Sequence, residues 1–154
     1  MKLFYKNLSL NRINNVRPLK FALGNYDGTA SLHTSTTANI GTHSLVQRID
    51  YSVSEKGTFI KIQKGDSIVK SGEADVPTVI KIDVEGAEFD VLKGMEKILT
   101  SPQLRIVQIE LHPKILPLFN ATVEDIYGLM NAAKFSVAFQ QVRGTEIEVV
   151  FGKK

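Results

Sequence analysis

The chain of 154 residues contains no cysteine and no long uninterrupted hydrophobic run. The lack of cysteine excludes disulfides, a thiolate nucleophile and a thiolate metal site. A membrane span needs about 20 apolar residues, which no stretch approaches. Lys6 and Asn7 interrupt the opening apolar run that a secretory signal would require. We therefore expect a soluble cytoplasmic protein without a membrane partner.

Charge of one sign is not concentrated anywhere in the chain. The chain has 19 basic and 16 acidic residues, which gives a net charge of +3. The basic residues are scattered, apart from the terminal pair Lys153-Lys154. A nucleic-acid surface needs a clustered basic patch, so we expect no nucleic-acid partner. With 43% hydrophobic residues, the chain is long enough for one domain with a substantial core.

The most informative segment begins at Val79. Residues 79–83 form a predicted hydrophobic strand that ends in an acidic tip, with Asp83 and Glu85, and turns at once into a helix. Strands of parallel α/β sheets are apolar runs, and ligands gather beyond their carboxyl ends. We therefore place the candidate functional site at this tip.

A second predicted strand, residues 105–111, brings further polar groups to the same edge, because Glu110 and His112 stand at its carboxyl end. If the two strands are parallel neighbours, their ends lie about 4.8 Å apart. The four side chains would then converge. Glu88, further along the helix, is expected mainly to start that helix, since the helix dipole favours acids in the first turn.

Periodicity and turn residues predict the other elements. The predicted helices cover residues 3–13 and 87–99, and Gly94 in the second of them indicates close packing. A strand is predicted at 16–23. Thr122 and Asp125 have the spacing of a capping box at the start of a further helix. The chain is expected to end in an antiparallel hairpin, with strands at 136–142 and 146–151.

Residues 24–72 differ from the rest, because glycine, serine, threonine and asparagine dominate and strand-like pieces occur only at 30–33 and 58–62. Loop-rich stretches of this length are usually functional. We expect this segment to contact substrate.

The segment Lys81-Ile-Asp-Val-Glu-Gly-Ala-Glu88, followed by Val91-Leu-Lys-Gly94, resembles the central signature of the FkbM-type methyltransferases. Further segments resemble that family in the correct order, namely Asn7-Leu-Ser-Leu-Asn11 with Asn15-Val16, Ala22-Leu-Gly24, and Ile40-Gly41 with Ser44-Leu45. The family uses S-adenosylmethionine to methylate mostly hydroxyl groups of small molecules and sugars. The resemblance implies the same cofactor and a small-molecule or sugar acceptor here.

The resemblance also gives the candidate residues their roles. Methyl transfer needs a positioned acceptor oxygen and a base that takes its proton, and the candidate catalytic residues are Asp83, Glu110 and His112. The candidate cofactor-binding residues are Ala22, Leu23, Asp83 and Glu85. The candidate substrate-binding residues are Asn39, His43 and Ser44. Carboxylates and a histidine could also bind a hard divalent cation, but no ligand spacing demands one, and we expect no metal.

The expected fold is α/β: the C-terminal part of a Rossmann-like class I methyltransferase sheet, mostly parallel, with a terminal antiparallel hairpin. We expect one domain over residues 1–154, with 24–72 as a loop-rich insertion. Family members open with a glycine-rich strand turn that holds most of the cofactor, and this sequence has no such motif, so we expect the domain to be incomplete at its N-terminus. Strand 79–83 would then lie at an open sheet edge. Residues 58–62, residues 16–23 or a second chain, as in a homo-oligomer, are expected to cover it.

Two functions remain open on the sequence alone. The chain is either an FkbM-type O-methyltransferase, complete or as the catalytic half of a longer polypeptide, or a non-catalytic remnant that serves as a binding or assembly module. A nucleotide-binding protein lacks support because the chain has no phosphate loop of the G-x-x-x-x-G-K type.

Overall fold

The computed structural model describes residues 2–34, 43–44 and 58–154. Its helices are α1 (Lys2–Leu10), α2 (Gly65–Lys70), α3 (Glu88–Lys93), α4 (Glu96–Thr100) and α5 (Val123–Ala132), with a 3₁₀ helix at Leu116–Phe119. Its strands are β1 (Ala22–Leu23), β2 (Gly28–Thr34), β3 (His43–Ser44), β4 (Thr58–Gln63), β5 (Val79–Ile82), β6 (Ile106–Leu111), β7 (Phe135–Arg143) and β8 (Glu146–Lys153). Among these residues, no helix has the length and apolar character that crossing a membrane requires.

The described strands form two sheets, in the orders β1-β4-β2-β3 and β5-β6-β8-β7. In the first sheet, β1 is parallel to β4, whereas β2 is antiparallel to both β4 and β3. In the second sheet, β5 is parallel to β6, and β8 is antiparallel to both β6 and β7. The predicted α/β class and the terminal hairpin are confirmed. The expectation of a mostly parallel sheet is wrong for these strands, because antiparallel pairings outnumber parallel ones.

The main core lies between the second sheet and the helices α3, α4 and α5. The sheet contributes alternate residues of β6 and β8, which are at most 2% exposed: Val107, Ile109, Leu111, Val149 and Phe151. Fully burying one such side chain stabilises the fold by about 1.5–3 kcal/mol. This packing fixes β6 and α3, two of the elements that carry the candidate site.

The predicted helix over residues 87–99 is wrong in one respect, since α3 ends at Lys93 and α4 begins at Glu96. The apolar stripe nevertheless stays buried across the break. Gly94 lies at the break, where a Cβ atom would collide with the carbonyl oxygen of Gly24. The predicted close packing at Gly94 is therefore confirmed, and its partner is the backbone that follows β1.

The N-terminal half contains more regular structure than its composition indicated. Helix α1 confirms the helix predicted at 3–13, and the strand predicted at 16–23 is reduced to β1. Pro18, which cannot donate a ladder hydrogen bond, lies in the part that forms no strand. The strand-like pieces predicted at 30–33 and 58–62 are confirmed as parts of β2 and β4, and the segment 24–72 also supplies α2, which was not predicted. Residues 35–42 and 45–57 of that segment lie outside the described part of the chain.

Helix α5 begins with the predicted capping box. The Thr122 hydroxyl oxygen accepts a hydrogen bond from the Asp125 backbone N–H at 3.1 Å, and the Asp125 carboxylate accepts one from the Thr122 backbone N–H at 2.8 Å. Two backbone donors that the helix leaves free are thereby satisfied.

Strand β5 is an edge strand, as expected, and no strand among the described residues pairs with its free side. The two covers expected from within the chain are wrong, because β4 and β1 pair with each other instead. A groove of about 480 Å³ follows this edge, with Phe21, Leu23, Val79 and Ile80 among its lining residues. Cover by a second copy of the chain stays a prediction.

Candidate active site

The site begins at a tight turn between β5 and α3. Glu85 and Gly86 both have positive φ angles, 53° and 105°. A Cβ atom at position 86 would collide with Ile115 and Phe119. The left-handed region is unfavourable for a residue such as glutamate, whereas glycine adopts it freely. The turn is therefore held in one conformation and aims the start of α3 at the end of β6.

Glu88, the first residue of α3, is fully buried at 0% exposure. Its Oε1 accepts a hydrogen bond from the Gly86 backbone N–H at 2.9 Å and lies 2.6 Å from Nδ1 of His112. Its Oε2 is buried and has no hydrogen-bond partner in the described structure. A buried carboxylate is costly unless it is paired, and the pair here is with a titratable imidazole.

His112 follows β6 directly and is only 5% exposed. Its Nδ1 faces Glu88, and its Nε2 lies 3.9 Å from Oε2 of Glu85. The hydrogen bond to Glu88 raises the pKa of His112 above its ordinary value, and burial opposes this; the charges of Glu88, Glu85 and Glu146 raise it further. The imidazole is therefore a stronger base than a free histidine.

Asp83 and Glu110 complete the cluster. A carboxylate oxygen of Asp83, a carboxylate oxygen of Glu110 and a ring nitrogen of His112 all lie within 4.8 Å of one another. The predicted convergence at the carboxyl ends of β5 and β6 is confirmed. Asp83 is exposed and pairs with Lys81 at 2.9 Å.

The sequence interpretation of Glu88 as a helix-starting residue missed its principal contact. It does occupy the first turn of α3, but it faces the core and His112. A signal was available, because Glu88 stands three and four residues before the apolar Val91 and Leu92 and so shares their face of the helix. An acid on a buried stripe indicates a buried partner.

Four of the other predicted site residues lie in the first sheet. Ala22 and Leu23 form β1, and Leu23 lines the groove beside β5. His43 and Ser44 form β3, where they pair with Thr34 and His33 of β2. Asn39 lies outside the described residues.

A metal remains a matter of prediction for this cluster. Carboxylate oxygens and an imidazole nitrogen at the observed spacing are chemically suited to a divalent cation. Exposed acids, however, commonly gather without one, and the Lys81 ammonium already neutralises Asp83. The expectation of no metal ligands stays a prediction.

The geometry defines a class of protein: an α/β chain with a carboxylate-imidazole pair and further acids at the ends of two parallel strands. Residues 3–137 match the methyltransferase FkbM domain. The chain is also 35% identical over 140 residues to the hexuronic acid methyltransferase AglP of Haloferax volcanii. It belongs to the FkbM methyltransferase family.

The alignment with AglP covers 90% of this chain and 52% of that relative, so the chain spans about half the length of the curated protein it matches. No solved structure matches the chain.

Proposed function

We propose that the protein is an S-adenosylmethionine-dependent methyltransferase that methylates a hydroxyl group on a small molecule or sugar. The observation that carries the proposal is the contact of His112 Nδ1 with the buried Glu88 carboxylate at 2.6 Å, beside Asp83 and Glu110. Membership of the FkbM methyltransferase family supports the reaction class. The second sheet is then the C-terminal part of a Rossmann-like class I sheet, and the parallel pair β5 and β6 followed by the hairpin supports this.

His112 acts as the proton acceptor. With Nδ1–H donated to Glu88, the lone pair on Nε2 is free to take the proton of the acceptor hydroxyl. The oxygen becomes nucleophilic as the proton leaves, and a general base of this kind contributes about 10²- to 10⁴-fold in rate. A hydroxyl acceptor requires such a group, whereas a carboxylate acceptor carries no proton to remove.

Asp83 and Glu110 orient the acceptor and set the charge of the site. Glu110 and Glu85, whose Oε2 lies 3.9 Å from His112 Nε2, contribute negative charge beside the imidazole, while the charge of Asp83 is offset by Lys81. A negative site favours a cationic methyl donor and disfavours an anionic acceptor group at the same position. The arrangement therefore supports a neutral hydroxyl as the reacting group.

The chain's residues fit the cofactor in two respects. Leu23 and the apolar side of β5 line a groove of about 480 Å³, a volume typical of small-molecule sites. Asp83 and Glu85 stand at the end of the same strand and complement the positive charges of the methionine part. When bound, S-adenosylmethionine supplies the methyl group, as its carbon–sulfur bond breaks with the electron pair remaining on sulfur. Ala22, beside Leu23, is assigned to the adenine side.

The acceptor is assigned to the region of Asn39, His43 and Ser44. AglP is named as a hexuronic acid methyltransferase, which supports a sugar acceptor for this chain. Asn39, His43 and Ser44 are proposed to contact it, on the basis of their match to the family's loop. We also retain three predictions about the surroundings: a cytoplasmic location, no nucleic-acid or membrane partner, and a homo-oligomer that covers β5.

Calorimetry and product analysis test the proposal. Titrating the purified chain with S-adenosylmethionine should give binding in the micromolar range, and incubation with methyl-labelled cofactor and a panel of neutral sugars and uronic acids should label a product. A methyl ether, the product expected from a hydroxyl, survives mild alkali. A methyl ester, the product from a carboxylate, is hydrolysed.

The variants His112→Gln and Asp83→Asn should reduce methyl transfer at least about 100-fold. Glu124→Gln, on the exposed first turn of α5, is the control and should leave it unchanged. Absence of heat at millimolar cofactor, with no labelled product, would overturn the proposal and leave the non-catalytic binding module. A labelled product that is alkali-labile would overturn the hydroxyl assignment alone.

A further inference from the structure

We propose that Glu88 is a positioning residue, which holds His112 with its proton on Nδ1 and its Nε2 on the side of Glu85. This inference rests on the proposed function for its catalytic meaning, but its structural content can be tested without any methyl transfer.

The first argument is geometric. Glu88 Oε1 accepts a hydrogen bond from the Gly86 N–H at 2.9 Å and lies at hydrogen-bond distance, 2.6 Å, from Nδ1 of His112. The Gly86 N–H belongs to the strained turn and cannot move without disturbing its packing on Ile115. The carboxylate is therefore anchored on one side by backbone, and the imidazole ring is oriented by an acceptor that is itself fixed.

The second argument concerns why a carboxylate is present at all. Position 88 lies on the same helical face as Val91 and Leu92, where an apolar side chain would pack without penalty. The helix dipole does not explain the choice, because an exposed acid in the first turn gives that benefit without desolvation. Oε2 of Glu88 remains buried and unpartnered. A buried carboxylate is costly, and the side-chain partner of this one is His112. We therefore infer that Glu88 is present because it binds the imidazole.

The third argument is chemical. Neutral imidazole carries one proton, and a carboxylate acceptor at Nδ1 favours the tautomer with that proton on Nδ1. Nε2 is then the basic atom. When Nε2 gains a proton from the acceptor hydroxyl, the positive charge that results on the ring is balanced by Glu88. The proton balance is complete: the hydroxyl loses one proton and Nε2 gains it, while the Nδ1 proton stays in place.

Several charged groups surround the ring, so the contribution of Glu88 has to be separated from theirs. The carboxylates that face His112 are Asp83, Glu85, Glu88, Glu110 and Glu146. Of these, Glu88 makes the contact to Nδ1 and Glu85 lies on the Nε2 side. Replacing Glu88 alone should therefore change the tautomer, whereas replacing Glu85 should change only the electrostatic field.

The experiment is nitrogen-15 NMR of the histidine rings. The chain has three histidines, and the His112 signals are those lost in His112→Gln. In the wild type we expect the Nδ1–H tautomer and titration above the ordinary histidine pKa. In Glu88→Gln, which keeps the shape of the side chain, the titration should move toward lower pH and the tautomers should mix. Glu124→Gln should reproduce the wild type.

A second readout is the pH dependence of methyl transfer. At low pH, kcat falls because His112 becomes protonated and can no longer accept the proton of the hydroxyl. In Glu88→Gln this acid limb of the kcat–pH profile should move to lower pH, and kcat at its optimum should fall about 10- to 100-fold. KM for the acceptor should change little, because Glu88 does not contact it. A purely packing role would lower the folded fraction without shifting the pH limb.

The outcomes are distinct. Unchanged His112 titration and tautomer in Glu88→Gln would overturn the positioning role, whatever the activity. A changed titration together with a shifted acid limb supports it. If the wild type transfers no methyl group to any acceptor, the proposed function fails, and the NMR readout still decides whether Glu88 positions the ring.

Discussion

Gly94 packs directly on the backbone of Gly24, so that a Cβ atom at position 94 would collide with the Gly24 carbonyl oxygen. The carbonyl oxygen of Gly94 also accepts a hydrogen bond from the Asp66 N–H at 3.0 Å. Gly24 follows a strand of the first sheet, and Gly94 separates the two helices that pack on the second. The contact therefore joins the two halves of the chain.

Gly94→Ala should destabilise the protein. Its φ of −75° suits alanine, so the cost arises from overpacking alone, which is about 1–3 kcal/mol and should lie at the upper end because the obstacle is backbone. Urea denaturation followed by circular dichroism measures the loss.

Gly128→Ala is the matched control for this substitution. Gly128 lies within α5 with open space around its Cβ position. Alanine there should stabilise the helix by about 0.5–1 kcal/mol. Equal effects of the two substitutions would contradict the close approach of Gly94 and Gly24.

Local pattern was sufficient to predict much of this fold. The apolar run of β5, the terminal hairpin and the Thr122–Asp125 capping box depend on neighbours in sequence, and all three are confirmed. The convergence of Asp83, Glu110 and His112 was also predictable, because parallel pairing brings strand ends to one edge.

The features that were missed depend on contacts between residues distant in sequence. The break between α3 and α4 lies at Gly94, which approaches Gly24, 70 positions earlier in the chain, and the apolar periodicity does not record that approach. The burial of Glu88 likewise depends on a distant residue, because β6 places His112 against its carboxylate. The pairing within the first sheet was missed because the strand-like pieces at 30–33 and 58–62 do not record that β2 and β4 are antiparallel neighbours.

Asp66 in α2 connects to α4, which is distant in sequence, and this contact gives the second prediction. Its carboxylate accepts hydrogen bonds from the backbone N–H groups of Lys97 and Ile98 at 2.9 and 3.0 Å, and so caps α4 from another helix. The residue at the N-cap position, Met95, provides no side-chain hydrogen bond of its own. Asp66→Ala should therefore cost about 1–2 kcal/mol in urea denaturation. Asp75→Ala, at an exposed position, should stay within about 0.5 kcal/mol of the wild type.

Metal independence is the third prediction. If His112 Nε2 takes the acceptor proton, a cation on that atom would remove the base. Methyl transfer should therefore persist in excess EDTA and should not rise on addition of Mg²⁺ or Mn²⁺. Calorimetry of the chain with Mg²⁺ alone should give no saturable heat. Loss of activity in EDTA that Mg²⁺ restores would show that Asp83, Glu110 and His112 serve a cation instead.

The pH dependence of stability gives the fourth prediction. The hydrogen bond to Glu88 raises the pKa of His112 in the folded state above the ordinary value of 6.5. The folded protein therefore binds the His112 proton more tightly than the unfolded chain does. The resulting stabilisation is fully present below pH 6.5 and is lost as the pH rises through the folded pKa. The free energy of unfolding of the wild type, minus that of His112→Gln, should fall over this interval in urea titrations at successive pH values.

In a Glu88→Gln background, the difference in free energy of unfolding between the protein with His112 and the protein with His112→Gln should vary less with pH. The carboxylate that stabilises the His112 proton is absent there. A constant offset between wild type and His112→Gln is also expected, since removing the imidazole leaves Glu88 buried without its partner. The offset does not interfere with the test, because only the slope reports the proton. A slope of zero from pH 6.5 upward would mean that folding leaves the proton affinity of His112 unchanged, and the interaction with Glu88 would then be no more than packing.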